Sequence, residues 1–494
     1  MDILNAVISD MEKEDVRYYK LFANRMYYSH DRKDIQLFND IYQGGDQFDE
    51  ERTMNRLYHR GDRNSFYRLK HRLLNHVNKS LLLQYSDTDE AISILSQVSL
   101  YKFHFSRNNY RAAKYFLEKA EKKALAIEFL ELLDIIYSEF IRLSIETMDF
   151  DPKHFIEKRK INLEKLQSIR EIDQVLAAVS YQLKISQNYS PEGKSFITML
   201  ERMVKEHSAD KELRSGKLLQ LKLTDAVSRI LIQKHDFKTL ESYLAAKLKE
   251  FRKKKLFSKV NHESYLKMLT YLVNATFKNK KFPQSLAYTK QLEQAMEAYD
   301  RIYFDKYFVF YTNAQVINYS VIDPEKAIHL LEDLKKSTMR SKLSFYEIFM
   351  YLNLALLYFE RKDFDRSIRQ MIDLNMLESF KKADEVLKLK IAVAELMIRY
   401  ELEDYDVIEY RIGQIQRSFR APLQNKNQKA ESEMLYILRN LIQNFTRHRK
   451  EKLEQAMAQF IKAYSKPVAE DSSLIRYAPW VEQKLKAVSA SFPV

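Results

Sequence analysis

The sequence has no cysteine at all in its 494 residues. Disulfides, thiolate metal sites, iron–sulfur clusters and a cysteine nucleophile are therefore excluded. Glycine is almost as scarce: 6 glycines and 8 prolines occur in the whole chain. Tight turns between strands need residues that reach positive φ, and phosphate-cradling loops need clustered glycines. Walker A wants G-x-x-x-x-G-K-[ST] and the dinucleotide fingerprint wants three glycines close together. The one pair present, Gly44-Gly45, reads as a turn. No G-x-S-x-G elbow and no H-E-x-x-H motif occurs. No stretch approaches the roughly 18 uncharged apolar residues of a membrane span. The start, Met1-Asp2-Ile3-Leu4-Asn5, lacks a basic n-region followed by an apolar h-region, so a reducing cytoplasm is the expected location.

What is present is helix-forming and aromatic. Hydrophobic residues make up 46% of the chain, with 32 Tyr and 29 Phe, enough for a continuous core. A chain this long exceeds one ordinary compact domain, so it is either several domains or one elongated array. The formal charge is +14. Residues 1–90 hold 14 basic against 16 acidic residues, and the remainder holds 68 against 52. The surplus belongs to the long C-terminal part and favours acidic partners.

Residues 1–88 read as a helical N-terminal module. Val16, Tyr19, Leu21, Phe22 and Met26 recur at helical spacing over 12–26, and a second helix is expected around 35–42. Asp49-Glu50-Glu51 opens a third, acidic at its start as the helix dipole prefers. A long helix over 64–85 carries Phe66, Leu69, Leu73, Val77 and Leu81 on one stripe. The next boundary falls at 86–89, with Asp87 or Thr88 as the N-cap.

Over 89–465 a unit recurs: an aromatic-rich helix, a short polar turn, then a second helix. The turns are Arg107-Asn108-Asn109-Tyr110, Met148-Asp149-Phe150, Gln187-Asn188-Tyr189, His235-Asp236-Phe237, Lys280-Lys281-Phe282, Ile322-Asp323-Pro324, Lys362-Asp363-Phe364 and Glu403-Asp404-Tyr405. Their spacing of about 40–48 residues signals a solenoid of helix pairs. A last pair is expected from 447–464 and a short segment over 480–487, with 466–494 forming a capping helix and tail.

Several units resemble the tetratricopeptide repeat. In one, Tyr351, Leu354, Ala355 and Tyr358 are followed by Phe364 and Ser367; in another, Tyr110, Ala113, Leu117 and Ala120 reproduce the second helix. Asp323-Pro324-Glu325-Lys326-Ala327 with Leu331 is a third match. A small residue on each helix lets the backbones approach while aromatics fill the groove beside them. Tyr405 begins a poorer unit, with Ile408 at the small position, and the period exceeds the family's roughly 34 residues. The resemblance implies an all-α fold: a right-handed superhelix of stacked, TPR-like helical hairpins, an α-solenoid. It also implies a non-enzymatic scaffold that binds another protein or peptide on its concave surface, without a cofactor, metal or catalytic residue.

The alternative is an RNA- or DNA-binding helical-repeat protein, a regulator with the N-terminal module as its output, whose basic ridges neutralise phosphates. Arg52, Arg56, Arg60 and Arg63 precede Arg68, Lys70, Arg72 and Lys79. Arg252, Lys253, Lys254 and Lys255, joined in sequence by Lys278, Lys280 and Lys281, form the candidate basic binding patch. Arg447, Arg449, Lys450 and Lys452 form a third cluster. Interleaved acids such as Glu51, Asp62 and Glu451 favour solvated helix faces instead, and an acidic protein or peptide as the partner. The closest histidines, His71 and His76, are five apart, about 140° around a helix, so they cannot share a metal.

Overall fold

A computed structural model describes residues 2–26, 32–58, 62–147, 150–185, 198, 201–202, 205, 216–336, 344–425, 428–443, 447–465 and 475–490. The described residues form α-helices and short 3-10 turns, with no β-strand among them. They fall into two compact units, one of residues 1–176 with 202–223, the other of residues 177–201 with 224–494. The turns at Met148-Asp149 and Gln187-Asn188-Tyr189 lie outside the described residues.

The first unit opens with α1 (Ile3–Ser9), α2 (Lys13–Met26), α3 (Lys33–Gly44), α4 (Glu50–Leu57) and α5 (Arg63–Tyr85). Apolar residues at helical spacing on all five close one core, with Tyr19, Phe38, Ile41, Phe66, Leu73 and Val77 fully enclosed. Asp49 caps α4 by accepting from the Arg52 amide, and Gly45, at φ 48, turns the chain after α3. The unit continues through α6 (Glu90–Phe105), α7 (Tyr110–Ala126), α8 (Leu130–Glu146), most of α9 (Pro152–Ile185) and the start of α10 (Lys217–Gln233). The cap of α6 is Asp89, which accepts from the Ile92 amide, and not Asp87 or Thr88. The difference of one or two residues follows from the chain, which turns through Ser86, Asp87 and Thr88 before the helix starts.

The second unit holds α11 (Phe237–Lys253), α12 (His262–Lys278), α13 (Phe282–Met296), α14 (Phe304–Ile322), α15 (Pro324–Lys336), α16 (Ser344–Glu360), α17 (Phe364–Met376) and the short α18 (Glu378–Lys381). It ends with α19 (Glu385–Glu401), α20 (Tyr405–Ser418), α21 (Arg420–Gln424), α22 (Lys429–Leu441), α23 (Arg447–Tyr464) and α24 (Tyr477–Ala490). Apart from the short α18, which packs on α16 and α17, each helix packs on the next, and α12 packs on α14, α17 on α19 and α19 on α22 as well. That serial neighbour pattern is an α-solenoid of stacked helix pairs.

One turn design joins the two helices of most pairs. Asn108, His235, Lys280, Lys362 and Glu403 all sit at φ between 54 and 61. At each, the following amide bonds the carbonyl five residues back, as Asp363 does to Tyr358 and Lys281 does to Thr276. This is a Schellman closure of the first helix, made without glycine. The next residue then caps the second helix: Asn109, Asp236 and Asp363 accept from Ala112, Thr239 and Arg366. The aromatic after it starts the helix and meets the first one, as Phe364 does with Phe359 at 5.6 Å. Ile322-Asp323-Pro324 departs from this: Asp323 has φ −151, and Pro324 begins α15 directly.

Across the pair, most of the expected packing positions are buried, while Phe364 is half-buried. Ala113, Leu117 and Ala120 are fully enclosed, as are Leu354, Ala355 and Ser367, and Tyr351 and Tyr358 nearly so. Tyr110 is half-buried and its hydroxyl donates to Asn108. The Ser367 hydroxyl donates to the Ala355 carbonyl at 2.7 Å, so the small residues mark the closest approach of α16 and α17. Ser285 makes the same bond to Val273 at 3.0 Å between α12 and α13, again twelve residues back.

Candidate binding surfaces

The basic residues at 252–255 cap the end of α11. Cations in a helix's last turn are favoured by its dipole. Lys255 itself occupies the left-handed position that ends the helix, at φ 49, with the Leu256 amide bonded to the Phe251 carbonyl. Arg252 Nη2 donates to the Tyr265 hydroxyl at 2.7 Å and to Gln291 Oε1 at 2.9 Å. Lys254 pairs with Glu250 at 2.6 Å, and this pairing, with that of Lys247, holds the Glu250 carboxyl below its usual range. Lys253 and Lys255 are exposed.

Lys278, Lys280 and Lys281 do not join them. The Asn279 side-chain Nδ2 donates to the Phe237 carbonyl, and Lys281 Nζ pairs with Glu241 at 2.8 Å, both in the first turns of α11. Residues 237 and 253 are separated by about 24 Å along α11 at 1.5 Å per residue. The patch that looked continuous in sequence is two clusters at opposite ends of one hairpin. Lys280 is a turn residue, like Lys255.

The other basic groups are also partly structural. Lys70 is buried, pairing with Asp2 and, at 2.6 Å, with Glu50. Burial pushes its ammonium down, but the hydrogen bonds to those carboxylates outweigh burial and raise it. It fastens α4 and the chain start to α5. In the third cluster, Arg449 and Lys452 are exposed, while the Arg447 side chain lies outside the described residues.

A surface the sequence did not single out lies in the first unit. Residues of α7, α8, α9 and the start of α10 line a groove of about 410 Å³. Leu130, Leu133, Tyr137, Ile169 and Leu219 are buried in its floor. At its lip, Leu125 and Ile161 remain 49% and 47% exposed. Its polar groups are largely engaged: the Asn162 amide donates to the Leu130 carbonyl at 2.9 Å, and Glu128 accepts from the Leu218 amide at 3.2 Å. Glu128 there complements the positive end of α10. Lys158 pairs with Glu121 at 2.8 Å, and Lys165 stands half-buried beside it. Burial, then the Glu121 carboxylate, pushes the Tyr137 hydroxyl up to about 12. The sequence signal was an excess of apolar residues on α9, where Ile156, Ile161 and Leu163 exceed what one buried stripe can absorb.

A second groove, of about 390 Å³, runs between α22 and α23 beside Tyr436, Glu433 and Gln459. Among the described residues no group of three His, Asp or Glu is placed to hold a metal ion. No helix among them is long and apolar enough to cross a membrane. Compared with known proteins, the chain matches no family profile and no curated sequence.

Proposed function

We propose that this chain is a non-enzymatic, cytoplasmic helical-repeat scaffold of the tetratricopeptide-like kind that binds a segment of another protein. The observation that carries the reading is the groove of the first unit. It has an apolar floor, exposed Leu125 and Ile161 at its lip, and Lys158 and Lys165 beside them. Exposed aliphatic side chains lining a concave surface mark a macromolecular contact more than a solvated face. Lys158 is paired with Glu121, so it is Lys165 that favours a segment carrying carboxylates. Chemistry would call for convergent, uncommitted polar groups, whereas Asn162 and Glu128 are used to hold helix ends.

The nucleic-acid alternative loses support from the same geometry. Arg252, Lys254 and Lys281 are bonded within the protein, and the two clusters stand a helix length apart. A tagged chain with Leu125→Lys and Ile161→Lys tests the proposal against wild type. Both positions are exposed, so the fold persists. The expected result is a protein partner that survives nuclease on the wild type and is lost from the variant. A partner kept by the variant, or lost on nuclease treatment, would defeat it.

A further inference from the structure

Helix α24 packs mainly on α23, and it reaches α19 and α22 through a stripe of unusual chemistry. Tyr477, Trp480 and Lys484 are three and four residues apart, hence on one face. Trp480, the only tryptophan of the chain, is 4% exposed. Its indole N–H donates to Glu401 Oε1 at 2.5 Å, and Lys484 Nζ pairs with the same oxygen at 2.6 Å. Tyr400 meets Trp480 edge to face at 5.5 Å, and the Lys484 ammonium lies 5.1 Å from the Tyr400 ring centre. Tyr477 is buried beside Glu431, itself 3% exposed. The host groups come from the last turn of α19 and the first turn of α22; Glu401 lies 79 residues from Trp480 in sequence.

Two features argue that this contact selects more than it stabilises. Glu401 is a carboxylate in the last turn of a helix, where the macrodipole disfavours it, so its place is explained by the cation and indole N–H it receives. A helix that merely capped the array would hold as well through apolar contacts, because replacing a buried ion pair by packed apolar residues is often neutral or stabilising. The apolar face of α24 already supplies such contacts through Val481 and Val488.

We propose that Tyr400, Glu401 and Glu431 form a recognition site for a basic, aromatic helical segment with the pattern aromatic-x-x-Trp-x-x-x-Lys. In this chain α24 occupies it, and a partner protein bearing that pattern competes with α24 for it. The proposal rests on the scaffold reading and names a second kind of partner, complementary to acidic rather than basic groups.

The test uses full-length protein and a fluorescein-labelled peptide of residues 475–490. In the chain carrying Trp480→Ala and Lys484→Glu, the tethered competitor is weakened. The peptide should then bind at least about tenfold tighter than to wild type, because a tethered segment acts at millimolar effective concentration. Adding Glu401→Lys should abolish that binding. Equal affinity for wild type and variant, or indifference to Glu401→Lys, would overturn the proposal.

Hydrogen exchange on the wild-type chain covers the case of a variant that does not fold. Amides of α24 should exchange faster than those of α19 and α22, and faster still with excess unlabelled peptide. Exchange of all three as one unit, unaffected by peptide, would make α24 an integral cap. A concentration-dependent dimer formed through α24 would assign the site to a second copy and also overturn the proposal. Loss of peptide competition with capture at the first-unit groove intact would leave the scaffold reading standing.

Discussion

The glycine-free turns make a quantitative prediction. Lys280, Lys362 and Glu403 are exposed and held at φ 59, 61 and 61. A non-glycine residue in the left-handed region costs about 1–2 kcal/mol through the clash of Cβ with the following carbonyl. Glycine removes that clash but makes the unfolded chain more flexible, which returns about 0.5–1 kcal/mol. The net gain is about 0.5 kcal/mol per turn, and the sites lie in separate hairpins, so the triple glycine variant should gain about 1.5 kcal/mol. Trp480 lies in the same unit, so its fluorescence reads the relevant transition in urea. The expected result is a raised midpoint for the glycine variant. A β-branched residue has no relief from the clash, so Lys362→Val should lower the midpoint. A lowered midpoint for the glycine variant, or an unchanged one for Lys362→Val, would refute the turn geometry.

Other consequences follow from single contacts. Ser367→Ala removes the hydroxyl bond to the Ala355 carbonyl and should destabilise by about 1 kcal/mol in chemical denaturation. Ser285→Ala should cost more, because the Asn318 amide donates to that hydroxyl at 2.9 Å and loses an acceptor. His262 is buried with Nε2–H donating to the Ala295 carbonyl, and burial lowers its pKa from 6.5. The unfolded chain then binds a proton that the folded one refuses, so stability is full above about 6.5 and falls with pH below it, by up to about 1.4 kcal/mol per pH unit. His262→Gln should flatten that part of the profile. Burial raises the Glu431 carboxyl, so its contribution is lost as pH rises from 4.5 through the folded value. Glu431→Gln should therefore narrow the stability difference between pH 4 and pH 7 in equilibrium unfolding.

The repeat units were legible because their turns carry local chemistry. A polar cap followed by an aromatic, as in Asp363-Phe364 or Asp236-Phe237, is fixed by neighbouring residues alone. The small positions Ala113, Ala120, Ala355 and Ser367 were legible for the same reason, since close approach of adjacent helices leaves no room for more. The helix α1 was not, because seven residues give too short a pattern and its support comes from α3 and α5. The basic patch misled because 252–255 and 278–281 are one helix length apart, which puts them at opposite ends of a hairpin. Lys70 read as a surface cation, yet its partners Asp2 and Glu50 arrive from distant sequence. The seat of α24 on Glu401 joins residues 79 apart, which no local pattern encodes.

The central claim is that the first-unit groove receives another protein, and the absence of cysteine offers a direct test. A single cysteine replacing Ile161 can carry a photo-crosslinker, with Arg17→Cys on the exposed face of α2 as control. After irradiation in nuclease-treated lysate, the account predicts a discrete covalent adduct with one protein from position 161 and none from position 17. Equal labelling at both positions, no adduct at 161, or adducts seen only when nucleic acid is left intact would contradict it.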